Sequence, residues 1–371
     1  MTSASSGHTG VGLIGCPIEG LDTPALLLDG PACQRNLRRM ADFFHPLGAR
    51  LRPHFKNHKC TTLARRQLEA GAAVGMTCAK LGEAEVLAEA GFDDLLVANQ
   101  VVGRRKLQRL VRLAGRVRLK VAADDADQVA ALSEAATAAG VTVGVLVEVD
   151  VGMGRCGVEP GEPALCLARR VVACPGLRFD GLQAYEGHTV YDNDADRRAE
   201  TVRQSMGLAV ATRRLIEDEG IPVGVISGGS SSTYQITGQL DGVDEIQAGT
   251  YATMDWRYAQ MAPEFEVALS VLARVISRRG DTAVLDVGLK GAAAEFGLPR
   301  IKGHPDVDVP SFTSEEHCIL KQVPAGWRVG QAVELLPSHA CTTCNLHRQM
   351  VVHEEGRVVD VWPIEGSGRL A

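Results

Sequence analysis

From about residue 30 to residue 250 the chain alternates short apolar or β-branched runs with longer stretches of helical period, the rhythm of repeated β-α units. Eight of the short runs read as strands, at residues 50–56, 73–78, 94–98, 116–121, 142–149, 178–183, 223–227 and 245–248. Amphipathic segments lie between them, such as 81–91, 126–140 and 195–220, and each of these closes on a glycine that can take a left-handed cap. Eight such units predict an α/β fold, a (β/α)8 TIM-type barrel with its functional groups where the strands run into the following loops.

After about residue 260 the helical period disappears. Residues 265–277, 283–287, 317–321, 331–336, 350–354 and 357–361 read as β-strands separated by turns such as Glu355-Gly356. A second, mainly β domain therefore follows the barrel, and the strand-like Leu21-Asp-Thr-Pro-Ala-Leu-Leu-Leu-Asp29 is expected to pair with it. The resulting division is a barrel over 27–258 and a β domain made of 1–26 and 259–371.

Composition narrows the function. Of 371 residues, 45% are hydrophobic and 23% charged, ample for a large core, and a net charge of −6 offers no positive field to nucleic acid or an anionic membrane. No apolar run is long enough to span a bilayer, and residues 1–8 lack the basic and apolar regions of an export signal, so a cytoplasmic protein is expected. The ten cysteines are then expected to be reduced thiols, and the lone Cys341-Thr-Thr-Cys344 does not make a zinc ribbon.

The first stretch with chemistry is Arg52-Pro-His-Phe-Lys-Asn-His-Lys59, at the end of the first barrel strand. A barrel interior is normally apolar, so an inward lysine needs a partner or a reaction, and a partly buried amine can form a Schiff base with an aldehyde cofactor. After the fifth strand, Glu148-Val-Asp-Val-Gly-Met-Gly-Arg-Cys-Gly157 allows close backbone approach and carries Arg155, a fixed planar cation. Ser227-Gly-Gly-Ser-Ser-Ser-Thr-Tyr234 and Gln247-Ala-Gly-Thr-Tyr251 follow strands seven and eight. Barrels often bind phosphate there through converging N–H groups and hydroxyls, so Ser230, Ser231, Gly249, Thr250 and Tyr251 are the candidate cradle. After the sixth strand, Tyr185, Glu186 and His188 form a group of proton carriers, with His188 ranked first because its ordinary pKa lies near working pH. In the β domain, His339 and Cys341 are two apart and on an extended strand would share a face and grip one metal.

Taken in order, Leu21-Asp-Thr-Pro, the Pro-His-x-Lys-x-His-Lys string and these later motifs resemble the D-threonine aldolase and D-serine dehydratase family over nearly the whole chain. The resemblance implies an alanine-racemase-like fold, pyridoxal phosphate held by Lys56, and Arg155 hydrogen-bonded to its phenolic oxygen. It further implies a divalent ion on His339 and Cys341 that contacts the substrate hydroxyl; the thiolate favours zinc, with manganese or magnesium as alternatives. The implied enzyme is a homodimeric lyase for β-hydroxy-D-amino acids. Gly288-Leu-Lys-Gly, Ser314-Glu-Glu-His and Val359-Asp-Val-Trp-Pro resemble aldolase members, whereas the cysteine ligand resembles dehydratases, so cleavage to glycine and an aldehyde leads over loss of water to a keto acid and ammonia. A racemase or a non-catalytic pyridoxal phosphate carrier are the remaining alternatives, and the metal pair speaks against both.

Overall fold

The computed structural model describes residues 12–371, so the expectation of no export signal in residues 1–8 lies outside the described residues. The chain divides into two compact units. One holds Leu37–Tyr251, Gln260–Pro263 and Gly368–Ala371; the other holds the residues up to Asn36 with Ala252–Ala259 and Glu264–Ser367.

In chain order, β1 (Ala25–Asp29) and α1 (Gly30–Phe44) precede the eight strands of the larger unit. Those strands are β2 (Arg50–Leu51), β3 (Met76–Cys78), β4 (Asp94–Gln100), β5 (Arg118–Ala123), β6 (Val143–Val149), β7 (Leu177–Ala184), β8 (Val225–Gly228) and β9 (Glu245–Ile246). They form one parallel sheet in the order β2-β9-β8-β7-β6-β5-β4-β3. Its two ends meet where Val74 N donates to Leu51 O (2.9 Å) and Phe55 N to Thr77 O (2.8 Å), which closes the barrel. All eight expected strands are present; the first is regular for only two residues and continues as bridged, extended backbone to His54.

The interior follows the physics of a closed parallel sheet. β6 is buried at all seven positions, as a strand covered on both faces must be. Leu96, Leu146 and Val225, from the alternate strands β4, β6 and β8, pack as one layer. Nearer the strand starts the filling is ionic: Arg52, 1% exposed, is bidentate to Glu245 of β9 (2.8 Å each) and reaches Asp94 of β4 at 2.7 Å. Gly75 is required beside it, since a Cβ there would overlap the guanidinium.

Helices α2 (Thr61–Glu69), α3 (Leu81–Glu89), α4 (Arg104–Ala114), α5 (Ala126–Ala139), α6 (Glu162–Ala173), α7 (Ala195–Asp218) and α8 (Tyr234–Thr237) connect the strands. Their ends obey capping rules. Asp125 accepts from Asp127 N and Gln128 N to start α5, Gly140 ends it at φ 66°, and Asp194 caps α7 in the same way.

The other unit is a mixed sheet ordered β12-β14-β10-β1-β15-β16, with β11 and β13 extending from β10. Its strands are β10 (Leu269–Arg279), β11 (Thr282–Leu285), β12 (Arg300–Ile301), β13 (Cys318–Leu320), β14 (Ala332–Leu336), β15 (Gln349–Glu354) and β16 (Arg357–Pro363). As expected, β1 joins this sheet, antiparallel to β10 and parallel to β15, and its Leu27 packs with Ile18, Leu21, Leu272, Val351 and Val358. One expectation is corrected. His339 and Cys341 are not on a strand: His339 is the extended N-cap residue of α9 (Ala340–Leu346), and Cys341 lies in its first turn. The helix forms because the buried Asp255 accepts Ala340 N at 2.9 Å, and Thr343 Oγ1 donates back to His339 O at 2.8 Å.

Candidate active site

At the C-terminal end of β2 the chain turns at Lys59, whose φ of 56° is unusual for a side-chain-bearing residue. This turn separates the two lysines of the motif. Lys59 is 6% exposed and its amine is paired with the buried Glu83, which also accepts Ala79 N. The half-buried Lys56 has no ion-pair or hydrogen-bond partner for its amine among the described residues; its Nζ lies over the Tyr185 ring, 5.9 Å from the centroid. The Arg155 guanidinium lies 5.6 Å from the same centroid, so Lys56, Tyr185 and Arg155 are brought together around one aromatic ring. Arg155 is presented there by a loop folded on Asp150, whose carboxylate accepts Gly152 N and Gly154 N, while Gly157 N donates to Asp124 at 2.8 Å.

His54 stands beside this group. Its Nδ1 accepts Lys56 N at 3.4 Å, and burial followed by the charges of Lys56 and Lys59 holds its pKa well below the ordinary range, against a hydrogen bond with the Thr77 backbone. Its imidazole is therefore neutral at working pH.

The loops after β8 and β9 meet each other. Tyr251 N donates to Ser231 Oγ at 2.9 Å, and Ser230 Oγ lies 3.2 Å from Ser232 Oγ and 3.0 Å from Thr233 Oγ1. Gly249 backs directly onto the Lys56 segment: a Cβ there would be 2.8 Å from His54 O. The N–H groups of Ser231 and Gly249 are buried, yet neither has an acceptor among the described residues. Buried donors of this kind normally find partners, so this cradle of orphan amides and hydroxyls fits a phosphate. Thr250 sits in the same turn, 9% exposed, and the Tyr251 hydroxyl accepts Gln67 Nε2 at 3.1 Å.

His188 is placed differently. It is exposed, its Nε2 is 3.3 Å from Ser205 Oγ on α7, and its ring packs at Gly152. Among the described residues it has no hydrogen bond to Lys56, Tyr185 or Arg155; it lies in the short helical turn Gly187–Thr189. Glu186, by contrast, is fully buried against the serine-rich loop.

In the β unit, His339 Nδ1 donates to Glu295 Oε1 at 2.5 Å, and the Cys341 thiol hydrogen-bonds the His339 side chain. Thr342 also donates to Glu295. Burial lowers the His339 pKa, but Cys341 and Glu295 outweigh it and bring it up to about 9. A carboxylate on one imidazole nitrogen leaves the other for a metal, the usual support of a ligating histidine. Among the described residues no third histidine, cysteine or carboxylate completes a cluster, so the pair fits a metal whose other positions go to water or substrate.

Sequence reasoning missed Glu295, Asp255 and Gln67. The first two lie in stretches read as irregular, and Gln67 faces inward from an otherwise ordinary amphipathic helix.

Residues 28–255 match the model of the alanine racemase N-terminal domain, and residues 268–353 match that of a putative serine dehydratase domain. A D-threonine aldolase from an Arthrobacter species is 38% identical, over 95% of this chain and 95% of its own. The chain belongs to the D-threonine aldolase and D-serine dehydratase family. The crystal structure of D-threonine aldolase from Filomicrobium marinum superposes with a TM-score of 0.93 at 38% identity, over 96% of this chain and 99% of that one. The D-threo-3-hydroxyaspartate dehydratase of Delftia superposes with a TM-score of 0.85 at 28% identity, over 94% of this chain and 98% of the other. That enzyme has been solved with a histidine replaced by alanine and, in metal-free form, with the cysteine two positions further on replaced. The fold is thus the alanine-racemase-like one expected, and the family's aldolases and dehydratases alike are lyases, as this chain is.

Proposed function

We propose that this chain is a pyridoxal-phosphate- and metal-dependent lyase that cleaves β-hydroxy-D-amino acids to glycine and an aldehyde, the D-threonine aldolase reaction. The observation that carries the reading is the amine of Lys56, half-buried and unpaired beside Tyr185, while its neighbour Lys59 is neutralised by Glu83. An amine so placed is available as a nucleophile, whereas one locked in a buried ion pair is not.

Pyridoxal phosphate, when bound, supplies an electron sink for charge developing at Cα. Lys56 would hold it, Arg155 would place a fixed cation at the ring, and Ser230, Ser231, Gly249, Thr250 and Tyr251 would take the phosphate. Tyr185 lies beside the Lys56 amine, its ring centroid 5.9 Å from Nζ. The Lys56 amine would also hold or return a proton at Cα. His339 and Cys341 would hold the metal, with zinc favoured by the thiolate; such an ion acts as a Lewis acid on the substrate's hydroxyl. Manganese and magnesium are the alternatives.

Dehydration to a keto acid and ammonia is kept as a second reading because the cysteine at 341 matches the histidine-and-cysteine spacing of the solved dehydratase variants. Full-length similarity at 38% identity to an aldolase favours cleavage. Incubation with D-threonine, D-phenylserine, D-serine and 3-hydroxy-D-aspartate decides: glycine plus aldehyde supports the aldolase, keto acid plus ammonia replaces it. We also place the enzyme in the cytoplasm, supported by ten cysteines none of which is in a disulfide, and expect a homodimer on family resemblance.

A further inference from the structure

Glu186 follows Tyr185 directly, and the two side chains part company there: Tyr185 meets the Lys56 amine while Glu186 turns into the loop after β8 and is fully buried. Its carboxylate has no cationic partner among the described residues. All of its side-chain hydrogen bonds come from one short segment: Gly229 N at 3.2 Å, Thr233 Oγ1 at 2.7 Å and Thr237 Oγ1 at 2.6 Å.

A buried carboxyl group is costly to desolvate unless its oxygens are hydrogen-bonded, and these three donors supply those bonds. The bonds fix the loop in turn. With its proton given to Glu186, Thr233 Oγ1 can only accept, and it receives Ser230 N at 3.0 Å and the Ser230 hydroxyl at 3.0 Å. Gly229, at φ 75°, also gives its N–H to the carboxylate rather than to the cradle. What remains without an acceptor among the described residues is the N–H of Ser231.

We propose that Glu186 is a positioning residue for the phosphate of the cofactor, an internal acceptor that folds residues 229–233 into the turn that presents the Ser231 amide. This rests on the pyridoxal phosphate reading above. It gives Glu186 no part in moving substrate protons, because both carboxylate oxygens are occupied by the loop.

Replacing Glu186 by glutamine keeps its shape but leaves one acceptor oxygen in place of two, so either Gly229 N–H or the hydroxyls of Thr233 and Thr237 lose their acceptor. An unsatisfied buried donor of this kind is expected to weaken binding through the loop by about tenfold or more. The test is titration of the metal-loaded enzyme, freed of cofactor, with pyridoxal phosphate and separately with pyridoxal, following absorbance of the attached cofactor. E186Q should raise the Kd for pyridoxal phosphate by about tenfold while leaving that for pyridoxal within about twofold of wild type. Thr237→Val, which removes one donor outside the loop, should act in the same direction more weakly, and the double variant should lose less than the sum. A wild type that attaches neither aldehyde overturns the functional reading together with this one. Attachment with equal pyridoxal phosphate affinity in wild type and E186Q, or an equal loss for both aldehydes, overturns the role of Glu186 alone.

Discussion

At the scale of single residues, the site works by deciding which of two neighbouring lysines keeps its amine free. The positive φ of Lys59 swings that side chain to Glu83 and leaves Lys56 against Tyr185. Lys56→Ala should abolish cofactor attachment and drop kcat/KM by at least about a thousandfold, because the nucleophile is gone, measured by absorbance and steady-state kinetics. His188→Ala should reduce kcat/KM by less than about tenfold, since a general base contributes about a hundredfold or more and this imidazole is exposed on Ser205 instead. In the β unit, Glu295→Gln loosens the ring of His339, and a loss of about ten- to a hundredfold in metal affinity by chelator competition is expected.

At the scale of elements, the barrel's seam depends on charge where its middle depends on packing. Arg52 ties β9 and β4 from the strand that closes the sheet, and all of its carboxylate partners are held inside. Arg52→Ala takes the bidentate partner from Glu245, leaving it only Lys120 at 3.9 Å, and should cost about 3 kcal/mol in urea unfolding of the protein, far more than loss of an exposed pair such as Arg35–Glu266. The strands and helices themselves were legible, because β6 reads as a valine-rich run interrupted only near its end by Glu148 and α5 is bracketed by Asp125 and Gly140. The glycine- and hydroxyl-rich turns that follow the strands were legible too, because clusters of that composition mark strand-to-loop junctions. What the sequence could not show was direction: periodicity does not reveal that α9 begins at Ala340, since its cap, Asp255, is distant in the chain and contributes only through folding. Nor could it show that His188 turns outward while Glu186 turns inward, because both lie past the end of a strand, where alternation no longer governs the side chains.

At the scale of the whole molecule, the two units carry different groups, an amine and a turn of orphan amides and hydroxyls in the barrel and a histidine-cysteine pair in the β unit. Both are required by the proposed reaction. Removal of metal with a chelator should leave cofactor absorbance intact and abolish turnover of D-threonine, with activity restored by zinc or manganese; a racemase or a cofactor carrier would keep its function. Among the described residues no helix is long and apolar enough to cross a membrane.

The central claim is that Lys56, and not Lys59, carries the cofactor. Reduction of the pyridoxal-phosphate-loaded enzyme with borohydride, followed by peptide mass mapping, tests it in one step. The account predicts a single stable pyridoxyl adduct on Lys56. An adduct on Lys59 instead, or an unmodified protein, would contradict it.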